Sequence, residues 1–239
     1  MKEVVSSYQV QFSGMSPEEM LAIIIGRHAG KFVFTSSMSA EDQVVTHMLC
    51  NLTDNADIVT LDTGRMFYET YDLIDRTNDH FGISIRAMFP DSGAVERMVL
   101  AHGVNLFYDS VEKRKMCCGV RKIEPLCRAL KNKEVWITGL RSEQSPTRHK
   151  LKAVVWDEAN GLIKVNPLLH WTHEQVWDYI RAHKIPYNPL HDKGFPSLGC
   201  KPCTRAVKPG EDIRAGRWWW EQPETKECGL HPGVMSKLH

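Results

Sequence analysis

The stretch KFVFTSSMSAEDQVVTHMLCNL, Lys31–Leu52, decides the fold. Its first five residues, Lys31 to Thr35, are apolar and β-branched enough for a buried strand. A serine-rich turn follows, and then a helix from about Ala40 to Leu52. The same succession returns along the chain. Asp57 to Leu61 reads as a strand, Asp62-Thr63-Gly64 as a turn, and Tyr68 to His80 as a helix. Ile83 to Met88 and Ala94 to Ala101 make a further strand and helix, and Val135 to Thr138 a later strand ended by Gly139. Strands alternating with helices of this length predict an α/β fold, doubly wound, with a mostly parallel sheet covered on both faces. Val154 to Trp156 and Leu162 to Val165, joined across Asn160-Gly161, predict a hairpin or edge pair.

Outside that pattern, Ser16, Pro17 and Glu19 form a capping box that opens a helix, and Thr172 with Gln175 opens another over Glu174 to His183. After Pro186 periodicity gives way to Pro, Gly, Cys and Trp. The expected organisation is an N-terminal helical segment (1–30), an α/β domain (31–205), and a C-terminal tail (206–239). A chain of 239 residues with formal charge +1 has the length for a sizeable core but no bulk charge for nucleic acid or a membrane surface. No cationic start precedes an apolar run, and Leu21 to Ile25 is far too short to span a bilayer. Seven cysteines without a leader predict a reducing compartment, the cytoplasm, where thiols bind metal or react.

In open sheets ligands sit beyond the carboxyl ends of the strands. Three turns fall there: Ser36-Ser37-Met38-Ser39, Asp62-Thr63-Gly64-Arg65 and Gly139-Leu140-Arg141. The first joins hydroxyls to a helix N-terminus, which suits a phosphate or sulfate, although a capped helix after a strand explains it equally well. It matches neither the Walker pattern nor GxGxxG, which argues against a nucleoside triphosphatase or a dinucleotide dehydrogenase. Cys117-Cys118 and Cys200-Lys201-Pro202-Cys203 supply four thiols. These suit an iron–sulfur cluster better than a single zinc, because adjacent cysteines diverge and a cubane has four separate corners. A structural zinc and a redox-active CxxC remain open. Cys228 stands apart in Lys226-Glu227-Cys228-Gly229-Leu230-His231, near Arg214 and Arg217, where cations lower a thiol from its ordinary value of about 8.5. Cys50 and Cys127 read as buried packing on helix faces. Arg121-Lys122, Arg141 and Arg148 add cations suited to a doubly charged anion, and Trp218-Trp219-Trp220 reads as a packing element.

Five segments together, KMCCGVRKIEP (Lys115–Pro125), ITGLRSEQS (Ile137–Ser145), GCKPCTR (Gly199–Arg205), GRWWWE (Gly216–Glu221) and KECGLH (Lys226–His231), resemble the assimilatory adenylyl-sulfate reductases. The turn from Ser36 to Asp42 is similar to their modified pyrophosphate loop, with Met38 where related sequences often carry Phe. The resemblance implies an adenine nucleotide alpha hydrolase-like fold and reduction of adenylyl sulfate to sulfite and AMP. It implies a [4Fe–4S] cluster on Cys117, Cys118, Cys200 and Cys203 that is not an electron donor. It implies Cys228 as the nucleophile that takes up the sulfonate, and thioredoxin or a glutaredoxin-like thiol as reductant. By the same resemblance Lys122 lies between cluster and substrate. Ser36, Ser37, Ser39, Thr63, Arg148, Arg214, Arg217 and His231 bind substrate, and Leu61 and Gly139 meet the adenosine through their backbones. No nucleic acid or membrane partner is implied, and a homo-oligomer stays open. The rival readings are a 3′-phosphoadenylyl sulfate reductase, whose cluster-free members lack the two cysteine pairs, and a zinc-stabilised binding module without catalysis. An adenylating tRNA-thiolation enzyme would be expected to carry an SGGxDS-type loop, which this chain does not have.

Overall fold

Phe32, Val33 and Phe34 are wholly or almost wholly buried, so the strand they open must have partners on both edges and cover on both faces. The computed structural model, which describes residues 2–144, 151–222 and 226, supplies them. In chain order the elements are α1 (Lys2–Gln11), α2 (Pro17–Arg27), β1 (Phe32–Ser36), α3 (Ala40–Leu52), β2 (Ile58–Leu61), α4 (Tyr68–Phe81), β3 (Arg86–Met88) and α5 (Ser92–His102). There follow α6 (Val111–Cys118), a π-helical turn (Gly119–Ile123), α7 (Glu124–Leu130), β4 (Val135–Ile137), β5 (Val154–Asp157), β6 (Leu162–Val165) and α8 (His173–His183). The six strands form one sheet in the order β3-β2-β1-β4-β6-β5. β1 pairs parallel with β2 and with β4, β4 pairs parallel with β6, and only β5 runs antiparallel, against β6. The doubly wound parallel sheet and its edge hairpin are thus as the sequence predicts. Strand order reverses between β1 and β4, and this switch point is where such sheets place ligands.

The chain divides into two compact units. The first comprises Met1–Thr60, Glu69–Arg86 and Leu130–Asn188. Its core joins Phe34, Val44, Val45, Ile137 and Val165 from sheet and α3 to Leu21 and Ile24 of α2 and to Tyr8 of α1. Both expected capping boxes are present, at Ser16 with Glu19 and at Thr172 with Gln175. α1 was not legible in the sequence. It is anchored by Gln9 Nε2, which donates to the Val154 carbonyl at 2.9 Å, and by the Tyr8 hydroxyl, 2.9 Å from His28 Nε2. β3 begins later than Ile83 because the start of that stretch is engaged by α4. The Ile83 amide donates to the Asn78 carbonyl at 3.1 Å and the Ile85 amide to Asn78 Oδ1 at 2.9 Å.

The second unit comprises Leu61–Tyr68, Ala87–Ala129 and Pro189–His239. Its packing centre is small and contains Met98, Phe107, Cys117, Cys203 and Trp218. Asp91 caps α5, its side chain accepting from the Ala94 amide at 2.7 Å. On α7, Leu126, Ala129 and Leu130 form the buried stripe, which leaves Cys127 exposed rather than packed as the sequence predicted. Cys50 on α3 is half-buried beside the core of the first unit. No helix among the described residues is long and apolar enough to cross a membrane.

In the first unit Arg141 is 1 % exposed and its guanidinium lies 2.9 Å from Glu41 Oε1, with further bonds at 3.0 Å to Glu143 and 3.1 Å to the Trp171 carbonyl. Removing one partner of a buried pair strands the other charge, at a cost of about 3–5 kcal/mol. Arg141→Met should therefore lower the unfolding free energy in urea by about 3 kcal/mol. Adding Glu41→Gln should return a large part of the loss.

Candidate functional site

In the first unit the β1–α3 turn lies at the switch point. Ser36 ends β1 with its side chain buried; its Oγ accepts from the Met38 amide at 3.1 Å and meets Met38 Sδ at 3.4 Å. Met38 is fully buried with φ at 61°, a left-handed conformation costly for a residue with a Cβ. That reversal turns the next two hydroxyls to one acceptor. Asp42 Oδ2 accepts from the Ser37 amide at 2.6 Å, the Ser37 hydroxyl at 2.6 Å and the Ser39 hydroxyl at 3.2 Å. Ser39 caps α3 without a side-chain bond to the helix amides, because its hydroxyl is given to Asp42.

Burial pushes the Asp42 carboxyl up to about 6 against the pull of the Ser37 bonds, and the charge of Glu41 adds to the rise. A group raised on folding stabilises the fold below its unfolded value, and that contribution is lost as pH rises through about 6. Gly139, in the turn after β4, is fixed by the same carboxylate. A Cβ there would lie 2.2 Å from Asp42 Oδ1 and 3.3 Å from the Asp42 amide nitrogen. The turn is held on its other side by Thr138, whose hydroxyl donates to Asn166 Oδ1 at 2.6 Å. Thus Ser37, Ser39 and Gly139, chosen from sequence, meet around Asp42, which the sequence reading passed over.

In the second unit the four paired cysteines line one small cavity. Cys117 and Cys118 end α6, and the π-helical turn after them changes the direction of the chain at that point. Cys200 and Cys203 flank a tight turn in which the Cys203 amide donates to the Cys200 carbonyl at 2.9 Å. The expected nucleotide-side turn is bound to the cysteines: Thr63 Oγ1 lies 3.2 Å from Cys200 Sγ, and the Lys201 amide donates to the Arg65 carbonyl at 2.8 Å. Arg65, Arg114, Arg121 and Lys122 bring positive charge to the same cavity. Arg121 Nη1 donates to the Thr63 carbonyl at 2.7 Å, and Arg114 makes a buried two-pronged bond to Glu221 at 2.8 and 2.9 Å. Leu61, the last residue of β2, precedes this turn with its side chain half-buried.

Burial pushes the Cys203 thiol up to about 12 and raises Cys117 as well, against the opposing pull of Lys122 and Arg217 on the first and Arg121 on the second. Such thiols stay protonated unless a metal replaces the proton. Among the described residues no three Cys, His, Asp or Glu side chains close on one point as a single ion requires. Four thiols form a donor set that fits either an iron–sulfur cluster or a zinc ion.

Arg217 is buried, stacks over Trp218 at 4.8 Å and donates to the Leu198 carbonyl at 2.5 Å. Gly199 leaves room for it, since a Cβ there would fall 2.3 Å from Arg217 Nη2 and the guanidinium would have to shift. Arg214 Nη2 donates to the Lys226 carbonyl at 3.0 Å. Arg148, Cys228 and His231 lie outside the described residues. Arg114 had no distinguishing signal in the sequence, and neither Arg65 nor Glu221 was singled out within the segments that contain them.

Residues 31–206 match the phosphoadenosine phosphosulfate reductase domain family. An adenosine 5′-phosphosulfate reductase of Allochromatium vinosum is 53% identical over 205 residues, covering 86% of this chain and 80% of that protein. One of Burkholderia cepacia is 51% identical over 214 residues, covering 90% and 86%. Among solved structures, phosphoadenylyl-sulfate reductase from Candida auris in its phosphate complex superposes with TM-score 0.74 at 26% identity, covering 87% of this chain and 98% of that one.

Gly139→Ala places a methyl group against a carboxylate that already holds two serines. It is expected to cost about 1–3 kcal/mol of stability. Urea unfolding checks this.

Proposed function

The chain belongs to the phosphoadenosine phosphosulfate reductase family, and we propose that within it the chain works as a thiol-dependent, iron–sulfur adenylyl-sulfate reductase. The reaction is reduction of adenylyl sulfate, in keeping with relatives at about half identity over most of the chain. The single observation that carries the cluster reading is the convergence of four cysteines from two separate segments on one cation-lined cavity. Cys117, Cys118, Cys200 and Cys203 would hold a [4Fe–4S] cluster, which would supply a fixed charge and pass no electrons.

In this reading the Cys228 thiolate attacks the sulfate sulfur. The sulfur–oxygen bond to the phosphate breaks, AMP leaves with that electron pair, and Cys228 carries an S-sulfonate. A thiol of thioredoxin or a glutaredoxin-like protein then attacks the Cys228 sulfur and expels sulfite. Its second thiol resolves the mixed disulfide, so that the donor is oxidised by two electrons and Cys228 returns as a thiol. Negative charge gathers on the departing phosphate, where fixed cations act most strongly in the transition state. Lys122, Arg148, Arg214 and Arg217 are assigned to that charge, with His231 moving on the tail. Ser36 shapes the β1–α3 turn while Ser37 and Ser39 offer it donors. Leu61 and Gly139 are assigned to adenosine through their backbones, and Thr63 to the edge of the site beside Cys200. Residues 1–30, 31–205 and 206–239 serve as helical lead, α/β body and tail carrying the nucleophile. Sulfate assimilation towards cysteine in the cytoplasm is the setting that fits this chemistry.

Oxygen-free preparations should release sulfite from adenylyl sulfate with thioredoxin faster than from its 3′-phosphorylated form. Cys228→Ser should abolish sulfite while keeping the brown absorbance, whereas Cys203→Ser should lose iron and acid-labile sulfide. A protein that holds zinc alone and releases no sulfite would sink the reading. Lys122→Ala is expected to lower kcat about 10²-fold with the cluster spectrum retained; full turnover in that variant would remove Lys122 from the chemistry.

A further inference from the structure

Three donors of the β1–α3 turn are already spent. The Ser37 amide, the Ser37 hydroxyl and the Ser39 hydroxyl all point at Asp42 Oδ2, at 2.6, 2.6 and 3.2 Å. An anion seated on this turn needs those same donors, and it would approach a buried carboxylate of its own sign. Ionised, Asp42 only accepts hydrogen bonds; protonated, it releases part of its claim on the serines and becomes a donor. Its surroundings favour that exchange. The carboxyl is 5 % exposed, and Gly139 closes over Oδ1 so tightly that no Cβ fits. The neighbouring charge on α3 is Glu41, which adds repulsion and is itself held by Arg141 from the turn after β4, at 2.9 Å. Among the described residues, the β1–α3 turn faces the carboxyl with Ser37 and Ser39, which do not titrate.

We propose that Asp42 is a positioning residue for the substrate anion, holding Ser37 and Ser39 when the turn is empty and taking up one proton from solvent when the anion of adenylyl sulfate arrives. The carboxyl already rests at about 6, so an added negative charge carries it through neutrality. Affinity then falls as pH rises, approaching tenfold per pH unit where uptake is complete. Ser37 and Ser39 act only after Asp42 lets go of them. This inference rests on the reductase reading for its substrate, but the proton exchange belongs to the turn.

The test uses the cluster-loaded Cys228→Ser protein, which binds without turning over, titrated calorimetrically with adenylyl sulfate in two buffers of different ionisation enthalpy. Titrations run from about pH 5 to about pH 8, with inorganic sulfate as a second probe that does not itself titrate. The expected result is net proton uptake with steep pH dependence, and its disappearance on adding Asp42→Asn, which should bind with nearly pH-independent affinity. Asp42→Ala should weaken binding at every pH and also take up no proton. Equal proton uptake with and without Asp42→Asn, or none in either, overturns the proposal. Uptake with sulfate but no binding of adenylyl sulfate keeps the role of Asp42 and removes the substrate reading. A folded protein that binds neither probe overturns both.

Discussion

The three hydrogen bonds onto Asp42 Oδ2 decide how the chain leaves β1 and enters α3. To deliver two serine hydroxyls and an amide to one oxygen, the backbone must reverse at Met38 with φ at 61°. That conformation carries a steric cost for a side chain as large as methionine, which full burial in the core offsets. The carboxylate in turn crowds position 139, where any side chain would force a shift. One interaction therefore ties the two loops that flank the reversal of strand order, and an anion site at this place inherits its shape from them.

The second unit is held by different means. Its apolar centre is small, and charged side chains complete it. Arg114 lies under Trp218 at 4.7 Å and grips Glu221 with both prongs, in a pair that is 1 % and 4 % exposed. Such pairs add little net stability over apolar packing, but a geometry built on them is hard to slip. They connect the helix bearing Cys117 and Cys118 to the tryptophan segment that runs on towards the tail. The Thr63 and Arg121 contacts do the same for the turn after β2. Cysteines far apart in sequence are thereby held around one cavity.

The parallel sheet was legible because buried strands and amphipathic helices alternate with different periods, and both capping boxes fell where their residues announce them. α6 was not, because Val111–Cys118 buries only Arg114 and Cys117 and shows no apolar stripe to read. Cys127 misled for a related reason, since the stripe on α7 runs through Leu126 and Leu130 and passes it by. At the site, cysteine spacing carried the strongest signal. The Thr63 hydroxyl meets Cys200, a contact between residues 137 positions apart that no local pattern encodes. Asp42 was hidden in plain view: an acidic pair in the first turn of a helix looks like ordinary complement to the helix dipole.

The cations of the cysteine cavity differ in what they can do. Arg65 is bound to the Val104 carbonyl at 2.8 Å and lies over the Phe107 ring; Arg121 is bound to the Thr63 carbonyl and Arg114 to Glu221. A guanidinium fixed to backbone or to a buried carboxylate contributes a charge that does not reorganise when a reaction begins, which is the form of electrostatic stabilisation that costs least at the transition state. Lys122 is of another kind, a compact charge on a four-carbon stem. It directly follows Arg121 in the π-helical turn after the cysteine doublet. The fixed arginines set the potential of the cavity, and Lys122 adds a further positive charge to its lining.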